Sequence, residues 1–418
     1  MNRLAIVFKT LASTLVLCTL PLVPLTADAG IKKNAAAQAA QSKANLSQES
    51  AAEADLLRIY QLIGQGQNRQ ALKEAEQLVK KQPNFQLAQL VHGDLLSSFV
   101  RPVRNPGDVP ANAASSPVAA TNLADLREES QLRLKALRER PPAGSLPSQF
   151  LALSSRNKHA IAVDASRSRL YLFENSSSGM KLIADYYISV GKLGIEKVIE
   201  GDQRTPVGVY FITNNLDPKT LKDFYGAGAL PINYPNPLDM RRGKTGSGIW
   251  LHGTPSEQFS RAPRATDGCV VMANSDLWRI MNTVGIRTTP VVIADKLQWV
   301  PPQSIAAEGS QFSDTLQAWR KAKSKADMST LMGFYAPDFS SYGKSLAQWA
   351  KVLTDDVSKL KGRDFHLAEL SMMRWTDKSD TMVVTFDEVP VGMKAGNTKR
   401  QYWMRDGKSW KIFFEGSI

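Results

Sequence analysis

Cysteine is nearly absent from this chain: two in 418 residues, Cys18 and Cys269, beside only four histidines. So sparse a set excludes a disulfide-stapled fold. His92, His159, His252 and His366 are scattered without paired ligand spacing, so neither a metal nor a cofactor is expected. Acid is also short, 39 Asp and Glu against 52 Lys and Arg, and the net charge of +13 suits an anionic partner. Long apolar runs are missing too. The best of them, Leu11 to Leu25, is short and broken by Pro21 and Pro24, which argues against a membrane span.

That run reads better as the core of an export signal. Arg3 and Lys9 flank it and Ala27-Asp28-Ala29 precedes Gly30, so residues 1–29 are expected to be a secretory signal peptide and the mature protein periplasmic. Cleavage would remove Cys18 and leave Cys269 alone. A leftover thiol in an oxidising compartment is either reactive or an inert buried group. Thr266, Asp267 and Gly268 before it, and His252 one loop upstream, favour a nucleophile. Outside the cytoplasm nucleic acid is a poor partner for the positive charge. The carboxylates of peptidoglycan stems fit better; contact with an anionic membrane face is compatible with the charge but not required by it.

Composition divides the chain. Residues 30–52 are rich in Ala, Gln, Ser and Lys and read as a flexible leader. From 53 to 100, helical spacing of Leu56, Leu57, Tyr60 and Ile63, then Ala71, Leu72, Ala75, Leu78 and Val79, predicts a small helical domain; Gly66, Ala71 and Pro83 fall at tetratricopeptide-like spacings. Residues 101–120, with four prolines, read as a linker and 121–140 as a connector helix. From Lys158 the period changes to two, so 150–297 is expected to be a mostly β catalytic domain. A second linker, 298–311, leads to helices and then four strand-like runs over 312–418. That order resembles the nuclear-transport-factor-two-like cone fold. The fold class is therefore multidomain α+β. The helical and C-terminal domains are candidates for docking an envelope protein.

The chemistry concentrates in Ile249–Asn274, where Cys269 follows His252 by seventeen positions. Gly268 allows a sharp turn and would leave the amides of Gly268 and Cys269 aimed at a developing oxyanion. Ser189-Val190-Gly191-Lys192, Arg204-Thr205-Pro206-Val207-Gly208, Leu251-His252-Gly253-Thr254 and Thr266-Asp267-Gly268-Cys269 follow in order. Together they resemble the YkuD-type L,D-transpeptidase catalytic domain, over about Lys158 to Asp295. The resemblance implies Cys269 as nucleophile, His252 as base, and the Gly253 carbonyl as the group that orients the imidazole. It implies attack on the diaminopimelate–D-Ala bond of a tetrapeptide stem, with release of D-Ala and a thioester left on Cys269.

The chain departs from that family at two positions. Asp267 stands where many members have His, and Val271 where many have an Arg thought to meet a substrate carboxylate. Arg261 and Arg264, with Thr266 and Asp267, become the candidate substrate contacts. The acceptor stays open at this point: a stem amine gives transpeptidation, a protein lysine gives attachment, and water gives carboxypeptidase trimming. A non-catalytic envelope scaffold is the alternative from another class.

Overall fold

The structure is a computed structural model, and residues 51–108, 116–360 and 362–418 are described. The expected signal peptide, Cys18 and nearly all of the leader lie outside them. Three helices open the described chain: α1 (Ala52–Gly64), α2 (Asn68–Lys81) and α3 (Gln86–Ser98). Their apolar stripes, including Leu56, Ile59, Ala75, Leu78, Val91 and Leu95, close on Phe85 as one small core.

Helix α4 (Pro117–Arg138) follows, with Ser116 Oγ accepting from Ala119 N at 3.2 Å and proline in its first turn. It starts inside the segment expected to be linker. Its buried residues are Glu129, Ser130 and Arg133 rather than aliphatics. This polarity has a reason. The Arg133 guanidinium lies 3.8 Å from the Tyr187 ring centroid and bonds Glu129 (2.7 Å) and Glu53 (2.8 Å), so the buried charges satisfy one another.

Next comes β1 (Phe150–Ala152), followed by a meander of β2 (His159–Asp164), β3 (Arg169–Ser176) and β4 (Gly179–Tyr187). With β5 (Gly208–Phe211) and the later β9 (Pro290–Ala294) they form a five-stranded sheet ordered β4-β3-β2-β9-β5. A second sheet, β8-β7-β6, uses β6 (Ala229–Pro231), β7 (Trp250–His252) and β8 (Val270–Val271), with β8 parallel to β7. Helix α5 (Asn274–Thr283) leaves directly after it. Alternation splits the large sheet into two faces. Ile161, Val163, Leu170 and Leu172 pack with Leu251 and Val270 under the site, while Ala160, Ala162, Tyr171 and Phe173 face the C-terminal domain.

That domain is built from α6 (Pro302–Ser324), α7 (Leu346–Leu360) and strands β10 (Phe365–Thr376), β11 (Asp380–Pro390), β12 (Asn397–Asp406) and β13 (Ser409–Ser417). Helices on a curved antiparallel sheet give the expected α+β cone. Two segments fall differently from the sequence reading. Much of 298–311 is the start of α6, because Ile305, Gly309, Phe312, Leu316 and Trp319 form one buried stripe that continues across it. And β1, expected in the catalytic domain, pairs with Met372 and Met373 of β10 as the fifth strand of the C-terminal sheet.

Candidate active site

The site is built on the parallel pair β7 and β8. Val270 stands opposite Leu251 and Val271 opposite His252, and both Leu251 and Val270 are fully buried in the core below. Alternation then puts Trp250, His252 and Cys269 on the other face, with Cys269 at the head of β8. The nucleophile and base candidates thus share a surface, on neighbouring strands.

His252 is almost wholly buried, and its Nδ1 lies 2.7 Å from the Gly253 carbonyl oxygen. A carbonyl only accepts, so Nδ1 carries the proton and Nε2 keeps its lone pair. The ring is packed by Phe224 (centroids 5.7 Å) and Tyr225 (5.1 Å, edge-on), and Tyr225 O accepts from Gly253 N at 3.0 Å. Burial, reinforced by the positive charge of Arg261, pushes the His252 pKa down to about 4.

Cys269 is partly exposed, with Sγ 3.5 Å from the Gly248 carbonyl. Burial pushes its thiol up to about 11, opposed by a backbone hydrogen bond to Trp250 and by the Arg261 guanidinium. Between roughly pH 4 and 11, then, thiol and imidazole rest as a neutral pair.

The turn before Cys269 is pinned from several sides. Thr266 Oγ1 donates to Cys269 O (2.7 Å) and accepts from Gly268 N (3.1 Å). Gly268 sits at φ 126°, where a Cβ would lie 2.8 Å from Arg204 O. Gly191 is equally confined, since its Cβ would lie 2.4 Å from Gln203 O, and its amide donates to Thr205 Oγ1 at 2.9 Å. The four sequence motifs therefore converge on one turn.

Several expectations change here. The Gly268 amide already donates to Thr266, so of the two amides expected to face an oxyanion, that of Cys269 is the better placed donor. Thr266 is a buried brace of the turn, with its hydroxyl used on both sides. Asp267, a candidate substrate contact, already accepts from Lys192 Nζ (3.0 Å) and Gln203 Nε2 (2.9 Å). Arg264 turns out to Glu128 of α4 at 2.8 Å. Arg261 stays in: it stacks at 4.6 Å over Phe224, and its charge acts on both His252 and Cys269. His366 is exposed on β10. No cluster of three or more His, Cys, Asp or Glu able to hold a metal occurs among the described residues.

Sequence reasoning missed Asn274. Its Oδ1 accepts from Ala227 N (2.8 Å) and Thr254 N (3.2 Å), and its Nδ2 donates to Thr254 O (2.9 Å). It is the first residue of α5 and clamps the backbone on both sides of the His252 turn. The available signal was glycine at 226 and 253, where a Cβ would come within 2.0 and 2.1 Å of Asn274 Oδ1.

Residues 158–293 match the family model of YkuD, the L,D-transpeptidase catalytic domain. The central domain is a YkuD-type L,D-transpeptidase catalytic domain. Residues 311–416 match the Cds6 C-terminal NTF2-like domain. The chain is similar to the solved structure of Bdellovibrio bacteriovorus Bd1075, at 27% identity and TM-score 0.56 over 66% of this chain and 98% of that one. It shares its fold with the helical cell shape determining protein Pgp2 from Campylobacter jejuni, at 23% identity and TM-score 0.51 over 64% of this chain and 95% of that one. No curated protein matches the chain. Helices α1–α4 lie outside both matched family segments. The YkuD domain thus carries, on this chain, an added helical domain beside its catalytic turn.

Proposed function

We propose that the protein is a periplasmic, cysteine-dependent peptidoglycan L,D-transpeptidase that acts on the diaminopimelate–D-Ala bond of tetrapeptide stems in cell-wall remodelling. One observation carries the reading: His252 is held by the Gly253 carbonyl at 2.7 Å, on the same face as Cys269 of the neighbouring strand. That leaves Nε2 as a base beside the mature chain's single thiol, within a YkuD domain.

His252 Nε2 takes the thiol proton as Sγ attacks the stem carbonyl carbon. The negative charge on the former carbonyl oxygen is met by the Cys269 amide, a donor of a kind typically worth about 3 kcal/mol. The C–N bond then breaks, the imidazolium returns its proton to the departing D-Ala amine, and a thioester remains. An acceptor amine attacks this thioester, His252 takes its proton, and Sγ leaves. Thiol and imidazole both rest neutral, so the imidazole is free to take the thiol proton. Arg261, unlike Arg264, is free of ion pairs among the described residues and close enough to meet a stem carboxylate.

Water as acceptor is the second reading, L,D-carboxypeptidase trimming, since a thioester on the partly exposed Cys269 is open to hydrolysis as well as to an amine. Mass spectrometry of disaccharide-tetrapeptide monomers incubated with the mature protein separates the two. A cross-linked dimer that disappears in Cys269→Ala supports transpeptidation; Cys269-dependent tripeptide and free D-Ala without dimer establish trimming. Products at the same rate from Cys269→Ala overturn the nucleophile assignment.

A further inference from the structure

The added helical domain does not stand apart from the catalytic turn. Phe85 stacks on Phe259 with centroids 4.2 Å apart, and Asn84 Nδ2 donates to Ser256 O at 3.2 Å. Ser260 Oγ donates to Glu129 at 2.9 Å, and Arg264 pairs with Glu128 at 2.8 Å. The partners of the loop between His252 and Cys269 are thus drawn from α4 and from the turn between α2 and α3. Between α4 and this loop runs a cleft of about 560 Å³, bordered by Lys192, Phe224, Arg261 and Asp267 on the catalytic side and by Asp125 and Glu129 on the helical side. Phe224 packs on His252 and Arg261 acts on Cys269, so the cleft shares a wall with the candidate active site.

The charges lining it are unequally occupied. Glu129 is bonded to Arg133 and Ser260, and Asp267 to Lys192 and Gln203. Asp125 and Arg261 have no ion pair or side-chain hydrogen bond among the described residues. Asp125 lies one turn before Glu129, hence on the face of α4 that meets the loop. It is half-buried, at the wall of the cleft. An opposite pair left open across one cleft fits a ligand that carries both signs.

We propose that the cleft between α4 and the His252–Cys269 loop is a subsite for the zwitterionic amino-acid end of a peptide stem, with Asp125 taking the ammonium and Arg261 the carboxylate. The proposal rests on the reading of the protein as a stem-processing enzyme and adds its recognition of a free amine. Under it, the helical domain contributes specificity to a reaction whose chemistry lies wholly in the YkuD domain.

The test is a binding cycle in the full-length Cys269→Ala protein, which separates recognition from turnover. The probes are the tetrapeptide L-Ala-γ-D-Glu-meso-diaminopimelate-D-Ala and the same peptide acetylated on the diaminopimelate side-chain amine, titrated by calorimetry. A charge-assisted contact predicts that acetylation weakens binding about tenfold. Adding Asp125→Asn should weaken the free-amine peptide by a similar factor and leave the acetylated one within about twofold, since their shared contact is already lost. Equal effects on both peptides, no effect on either, or no measurable binding of either overturns the subsite. Products that depend on Cys269, together with an absent Asp125 effect, would sink the subsite while leaving the enzymatic reading intact.

Discussion

Gly253 meets two demands at one backbone position: its carbonyl fixes the His252 tautomer, and its missing side chain admits the Asn274 clamp. Gly253→Ala would bring a Cβ to 2.1 Å from Asn274 Oδ1 and 3.0 Å from Ala227 N. We expect a loss of about 1–3 kcal/mol in chemical denaturation, as for other overpacked sites, with turnover falling as the carbonyl shifts. The neutral pair gives a second prediction. Alkylation of Cys269 by iodoacetamide should rise with a midpoint near pH 11, and kcat/KM should fall only as the pH drops through about 4, where His252 takes a proton. Arg261→Gln should move the alkylation midpoint higher still, because the guanidinium favours the thiolate. At this scale the candidate nucleophile, the candidate base and the carbonyl bonded to it were legible because they lie within one stretch and one spacing. Phe224 and Tyr225 were not, because only folding brings their segment to His252; Asn274 ends the same stretch, but its clamp on Ala227 and Thr254 forms only once the chain has folded. The Gly268 amide was misread for a local reason: a threonine two positions earlier in the chain competes for it.

At the scale of elements, the loop from 254 to 265 is held by helices that sequence reasoning treated as a separate domain and a connector. Their existence was visible in apolar periodicity. Their docking was not, since it runs through Glu129, Ser130 and Arg133, polar positions that a periodicity count scores as solvent-facing. Phe85 is fully buried and anchors both the helical core and the Phe259 stack. Phe85→Ala should cost about 3–5 kcal/mol, as for other buried aromatics, and should speed limited proteolysis within the 254–265 loop. Unchanged cleavage there would mean that the loop holds its shape without the helices.

At the scale of the whole molecule, the catalytic and C-terminal domains share a core in which Tyr171 and Phe173 pack with Phe150 and Trp299. The Arg242 fork on Asp377 at 2.7 and 2.6 Å ties their rims. Burial alone would raise the Asp377 carboxyl, but Arg242, Trp375 and the Ser379 amide hold it well below the carboxylate range. A lowered folded-state pKa contributes stability above the ordinary value of 3.8, and that contribution is lost as the pH falls below it. Thermal unfolding at pH 3 should therefore show a smaller gap between wild type and Arg242→Ala than at pH 7. The sequence reading found both domains and placed a linker, 298–311, between them. The buried stripe of α6 and the transfer of β1 into the far sheet leave no such linker.

The position of β1 also bears on how the chain is made. Its partners Met372 and Met373 are more than two hundred residues downstream, so the strand leaves the ribosome long before the sheet that receives it. Pairings that distant close slowly. Until they close, the aromatic face of the catalytic sheet stays bare, so a chain cut short before residue 372 would leave Tyr171 and Phe173 without the C-terminal side chains that cover them.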